Sequence, residues 1–197
     1  MLKKVRKFFS KGQENNSGFS LIEMIVAVAV FSIAISIPTG LFVSVLRSQE
    51  ESLAEQKTID AVSYTIEYMS RSLRMAKKDL AGSCITQDAN YENPDFTTSS
   101  IRFLNYAGVC QEFAISDSRI VERKSPDENK ENLPTTGFYL TSSDLKISPL
   151  VFRLLGEVQA DDFQPRVTIM MGIEGEETSF RTRAQTTVSQ RNLDFIQ

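Results

Sequence analysis

Histidine is absent from the 197 residues, and cysteine occurs only at Cys84 and Cys110. Imidazole acid/base chemistry therefore has no residue to carry it, and ordinary zinc sites lack their usual ligands, which removes most hydrolase classes. No repeat of fixed period runs along the chain, so solenoid architectures are excluded. A composition 41% hydrophobic and 24% charged belongs to a chain with a packed core and excludes a wholly disordered one. The length fits one domain of ordinary size plus an extra element. An excess of positive charge occurs in one place. Lys3, Lys4, Arg6, Lys7 and Lys11 face only Glu14 among the first 18 residues, which leaves 17 basic against 24 acidic groups, or −7, over residues 19–197. That balance disfavours a general binder of phosphate backbones, and no nucleic-acid partner is predicted.

What the sequence does have is a long apolar run behind the basic arm. Residues 21–46 (LIEMIVAVAVFSIAISIPTGLFVSVL) contain a single charge, Glu23. About 20 such residues cross a bilayer as a helix. The basic arm precedes the run and no comparable cluster follows until Arg71, so the positive-inside rule places residues 1–18 in the cytoplasm and the rest outside. Ser32, Ala34 and Ser36 imitate a conventional signal-peptidase site. They sit in the middle of a run longer than a signal core, which argues against cleavage there.

A carboxylate near the start of a membrane segment costs about 2.5 to 3.5 kcal/mol on insertion scales, so it is expected to have a partner. Its surroundings read Gly18-Phe19-Ser20-Leu21-Ile22-Glu23, followed by Met24-Ile25-Val26-Ala27. This text resembles the prepilin processing motif of type IV pilins and type II secretion pseudopilins, in which Gly precedes the cut, Phe opens the mature chain and Glu stands fifth. The resemblance implies that prepilin peptidase cuts between Gly18 and Phe19 and that Phe19 is then N-methylated. It also implies that Glu23 pairs with the new amine of a neighbouring subunit during assembly. The spacing is chemically sensible, because cutting after Gly18 creates a largely protonated amine four residues before Glu23 on one helical face. An opposite-charge contact is worth about 4 kcal/mol at an effective dielectric of 20, enough to offset burying the carboxylate. The bland alternative is a signal-anchor helix whose Glu23 reaches to the interface. Pro38 matches the mid-segment proline of pilin helices, and is equally a kink that any membrane helix tolerates.

Beyond Leu46 the pattern becomes amphipathic. Ile59, Val62, Ile66, Met69, Leu73, Ala76 and Leu80 recur at helical spacing, opposite Glu67, Ser70, Arg71, Arg74, Lys77 and Lys78. A helix from Phe19 to about Leu80, stopped at Gly82, is predicted, with a coiled coil as the competing meaning of the stripe. Residues 88–100 read as turn-rich loop and 125–136 as exposed loop. Residues 100–106, 110–116, 119–123, 137–140, 151–155, 166–172 and 184–188 read as strands. The expected fold is α+β, a long N-terminal helix packed on an antiparallel β-sheet domain. The expected segments are a leader over 1–18, a membrane and polymerisation helix over 19–46, an amphipathic continuation over 47–81, and an extracytoplasmic β-rich domain over 82–197.

The order of these elements, with Gln164-Pro165-Arg166-Val167-Thr168-Ile169 opening one strand and Thr186-Thr187-Val188-Ser189-Gln190-Arg191 ending another, is similar to minor pilins and pseudopilins. It looks especially like the J-type pseudopilins and PilW-like minor pilins. A structural filament subunit and not an enzyme is expected, with no cofactor. The implied partners are prepilin peptidase, other pilins or pseudopilins, a membrane assembly platform and membrane lipid. An uncleaved, signal-anchored extracytoplasmic binding protein is the alternative. Cys84 and Cys110 could close a loop of about 26 residues by a disulfide, or be two buried small apolar side chains. Acidic groups at Asp161-Asp162 and at residues 174–177 form no ordered calcium loop, and no metal is expected. The row Arg71, Arg74, Lys77 and Lys78, without interleaved aromatics, reads as a polar helix face rather than a site for DNA or lipid headgroups.

Overall fold

The structure, a computed structural model, describes residues 18–94, 97–156, 163–175 and 181–191. The chain divides into two units, Met1–Ser48 and Gln49–Gln197, with the boundary inside the one long helix, α1 (Leu21–Arg74). In the first unit α1 is long and apolar enough to cross a membrane. Pro38 does not end it. The hydroxyls of Ser32, Ser36 and Thr39 each donate to the carbonyl four residues earlier, at 2.8, 2.7 and 2.8 Å, so the helix satisfies its own polar side chains.

Among its described residues the second unit carries seven antiparallel strands in two sheets. β1 (Ile101–Leu104), β2 (Cys110–Ser116), β3 (Arg119–Lys124) and β4 (Phe138–Tyr139) form a meander. β5 (Leu145–Leu155), β6 (Arg166–Gly175) and β7 (Arg181–Ser189) form the other. The sheets are stitched through β5, whose Ile147 N–H donates to the Ser118 carbonyl and whose Phe152 N–H donates to the Thr98 carbonyl, both at 2.7 Å. The predicted 151–155 strand therefore starts earlier, at Leu145. Pro149 hides the first part of its alternation behind a register shift between Ile147 and Leu150. Opposite that shift Gly172 approaches so closely that a β-carbon there would collide with the Ser148 carbonyl oxygen.

One core joins the layers. Met69 and Leu73 of α1 meet Phe103, Phe113 and Ile120 of the first sheet and Phe152, Ile169 and Ile173 of the second, all buried. Each such side chain contributes about 1.5 to 3 kcal/mol through burial. The buried stripe of α1 is Thr58, Val62, Thr65, Met69 and Leu73. It differs from the predicted one, since Ile59 is 48% exposed. Thr58 and Thr65 replace it because their hydroxyls donate to the Ala54 and Ala61 carbonyls, at 3.0 and 2.8 Å, leaving their methyl groups to pack.

The helix also stops short of the predicted Leu80. Tertiary partners take its last carbonyls: the Tyr91 hydroxyl donates to Leu73 at 2.7 Å and the Arg191 N–H to Arg74 at 2.8 Å. Lys77 then bridges to Leu104 at the edge of β1, and Leu80 is left 68% exposed. Gly82 serves a different turn. Its φ of +73° lets it join the loop folded around Asp79. One Asp79 carboxylate oxygen accepts from the Ala81 and Gly82 N–H groups at 3.1 and 2.8 Å. The other accepts from those of Cys84 and Ile85 at 2.7 and 3.0 Å. Residues 125–136 are mostly exposed as predicted, but their backbone is pinned: the Cys110 N–H donates to the Asp127 carbonyl at 2.9 Å and the Lys130 N–H to the Ser83 carbonyl at 3.1 Å.

Burial pushes the Asp79 carboxyl upward, but the four backbone donors together outweigh it and hold the group below the usual carboxylate value. Its contribution to stability is therefore fully present above the unfolded value and disappears as pH falls through the folded one. Asp79→Asn is expected to lower unfolding free energy by about 3 kcal/mol at neutral pH, since an amide cannot accept all four bonds. Urea denaturation of both proteins from pH 7 to pH 2 checks this, and the gap should narrow below about pH 4.

Candidate functional site

The processing motif lies at the start of the first unit. Gly18, Phe19 and Ser20 are non-helical and exposed, and α1 begins at Leu21, with the Ser20 carbonyl accepting the Met24 N–H at 3.2 Å. Phe19 thus stands two residues before the helix, not on the same helical face as Glu23 as the sequence suggests. The uncut chain is still continuous through Gly18 at this point. Glu23 falls in the first turn of α1, where the unpaired N–H groups and the helix dipole favour a negative charge. Ala27, Val30 and Ala34 follow on its side of the helix, at steps of four, three and four residues. Small side chains beside Glu23 leave room for close approach of another helix. A β-carbon on Gly18 would meet nothing within 4 Å, so no contact among the described residues requires glycine there. The basic leader, residues 1–17, lies outside the described residues.

The second unit holds the remaining candidates apart from this motif in sequence. Cys84 and Cys110 are joined in a disulfide, their Cα atoms 5.3 Å apart across 26 residues. The bond lies in a small buried cluster with Ile85, Ala89 and Leu104. Arg71, first in the predicted basic row, pairs with Glu67 at 2.6 Å on the exposed helix surface. Asp161, Asp162, Glu176 and Glu177 lie outside the described residues, while Glu174 pairs with Arg181 across β6 and β7 at 3.4 Å. Among the described residues no group of three or more Asp, Glu or Cys side chains converges as a metal site.

Sequence reading missed a polar clamp between α1 and the first sheet. One carboxylate oxygen of Glu122 accepts from the Tyr68 hydroxyl at 2.8 Å and from the Gln111 amide at 2.6 Å, and it pairs with the Lys124 ammonium at 3.1 Å. Gln111 in turn accepts from the Asn105 amide at 3.0 Å. Burial, and then the Glu122 carboxylate, push the Tyr68 hydroxyl above its ordinary value. Burial alone would lower the Lys124 ammonium, but its bonds to Tyr68 and Glu122 raise it overall. The only signal in the sequence is the alternation of β3, Arg119-Ile120-Val121-Glu122, which puts Glu122 on the same inner side as Ile120.

Compared with known families, residues 14–37 match the one described as the prokaryotic N-terminal methylation motif. The match spans Gly18, Phe19, Glu23 and the first part of the apolar helix. It supports a type IV pilin-like or pseudopilin precursor of the kind processed by prepilin peptidase. A long apolar helix followed by antiparallel sheets is the architecture expected of such a chain. No curated protein and no solved structure matches the chain.

Glu23 has no hydrogen bond or ion pair with any described residue, and it lies in the unit that does not contain the β-sheets. Glu23→Ala is expected to leave the unfolding free energy of the β-rich unit within about 0.5 kcal/mol of the native value. Thermal unfolding of the detergent-solubilised chain, followed by circular dichroism of the β signal, checks this.

Proposed function

We propose that this chain is a minor pilin or pseudopilin, a structural subunit that prepilin peptidase releases from its leader and that a membrane assembly platform inserts into a filament. The observation that carries the reading is the motif match over residues 14–37 together with a helix that is apolar across its first unit. In this reading the cut falls between Gly18 and Phe19, the amine of Phe19 is methylated, and residues 1–18 are the cytoplasmic leader. Methylation preserves the positive charge. The carboxylate of Glu23, unpaired among the described residues of its own chain, finds that charge on a neighbouring subunit, which offsets its cost in hydrocarbon. Assembly thereby selects correctly processed chains, because an uncut precursor has no amine at Phe19 to offer.

The β-rich domain stands outside the membrane in this reading, where a disulfide between Cys84 and Cys110 is chemically at home. The contribution of the chain is structural, and filament neighbours are its partners. The uncleaved, signal-anchored binding protein predicts an intact N-terminus instead.

Intact mass and N-terminal sequencing of the protein extracted from membranes of its own host separate the two. The expected result is a chain beginning at methylated Phe19, and a chain beginning at Met1 in a peptidase-competent host overturns the proposal. Gly18→Leu should accumulate as full-length precursor with an undisturbed fold, since a β-carbon at that position meets open space among the described residues. Normal shortening of that variant would place the cut elsewhere.

A further inference from the structure

The outward face of the first sheet carries a row of three charged side chains in register across three strands: Arg102 on β1, Glu112 on β2 and Arg123 on β3. Glu112 is only 4% exposed. Its Oε2 accepts from Arg102 Nε and Nη2 at 3.0 and 2.7 Å, and its Oε1 accepts from Arg123 Nη1 at 2.7 Å. The row lies in a cleft of about 500 Å³ whose lining also includes Lys130, Leu133 and Pro134. The lining therefore holds three cations, Arg102, Arg123 and Lys130, against the one carboxylate of Glu112, an excess of two positive charges. The acids of the adjoining loop, Asp127, Glu128 and Glu131, do not line the cleft.

The donors are also in excess. Both oxygens of Glu112 are already engaged, whereas Arg123, which lines the cleft with 27% of its side chain exposed, has one N–H of its Nη1 bound to Glu112 and keeps its other Nη hydrogens free of any partner among the described residues. Its Nε is walled off by protein, so the donors that a ligand in the cleft can reach are those on the Nη end. The wall opposite is fixed. Leu133 packs against the disulfide cluster, and the backbone of Lys130 is tied to Ser83 beside Cys84. A preformed cleft of ordinary ligand size, partly apolar, with surplus planar donors and positive charge, is a receptor for an acceptor-rich anion.

We propose that this cleft binds a carboxylate borne on a compact apolar body, with the free edge of the Arg123 guanidinium gripping its oxygens, Lys130 adding charge, and Leu133 and Pro134 covering the apolar part. A planar carboxylate matches the planar guanidinium edge, and the apolar wall favours it over a fully hydrated phosphate. The assignment is independent of whether the chain is cut at Gly18 or assembled into a filament.

Titration of the full-length chain in a neutral detergent tests it, with benzoate, acetate and inorganic phosphate as separate probes and the backbone amide peaks of residues 130–133 followed by NMR. Saturable binding of benzoate, tighter than acetate or phosphate and weakened by added salt, is expected. Arg123→Lys keeps a cation opposite Glu112 but removes the planar edge, and should weaken benzoate by about tenfold. Lys130→Gln, which breaks no ion pair among the described residues, should weaken it by about threefold. Three results would overturn the assignment: no saturation with benzoate, phosphate binding tighter than benzoate, or benzoate affinity unchanged in Lys130→Gln. The last of these stands even if the Arg123 variant folds poorly.

Discussion

Met69 and Leu73 have no exposed surface, and the arrangement of the β-rich unit depends on where they are buried. Neither sheet can close its apolar face alone. The first offers Phe103, Phe113 and Ile120, the second Phe152, Ile169 and Ile173, and the same helical stripe covers both. Burial of that stripe, rather than helix propensity, sets the register of α1 against the strands. The Glu122 clamp adds direction, because Tyr68 reaches its carboxylate only with α1 in this rotation. Apolar burial without direction would permit the helix to slide, and a hydrogen-bonded carboxylate does not.

Much of the fold was legible because its signals are periodic. The strand at residues 110–116 was predicted at its observed bounds, and the α+β order follows from a helical stripe succeeded by alternating segments. The errors have particular physical causes. Thr58 and Thr65 look polar in a sequence, yet a hydroxyl that bonds back to its own helix leaves a methyl group free to pack. The end of α1 was misplaced by six residues because Tyr91 and Arg191, distant in sequence, take carbonyls that local propensity would have paired within a longer helix. The division into two sheets, and their joining by backbone bonds from β5 to Ser118 and Thr98, were invisible for a similar reason, since no alternation encodes either.

The processing motif was legible for the opposite reason. It is contiguous, so the identity and spacing of Gly18, Phe19 and Glu23 survive in one short line of text, and the family match falls on the same residues. The Arg102, Glu112 and Arg123 row is assembled from three strands and appears only when their register is known. An acidic chain can therefore present a locally cationic cleft, and an average over residues 19–197 conceals it.

The junction at the end of α1 also bears on how the domain acquires its structure. The Gln190 side chain bonds to the Ala76 carbonyl at 2.8 Å across 114 residues of sequence, next to the Arg191 bond to Arg74. Such a closure brings together segments synthesised far apart in time, and contacts of that sequence separation form slowly. The helix end waits for the last strand. Until β7 has emerged, the carbonyls of Arg74 and Ala76 lack these partners, and the domain has an unfinished side on which chaperones or neighbouring chains can act.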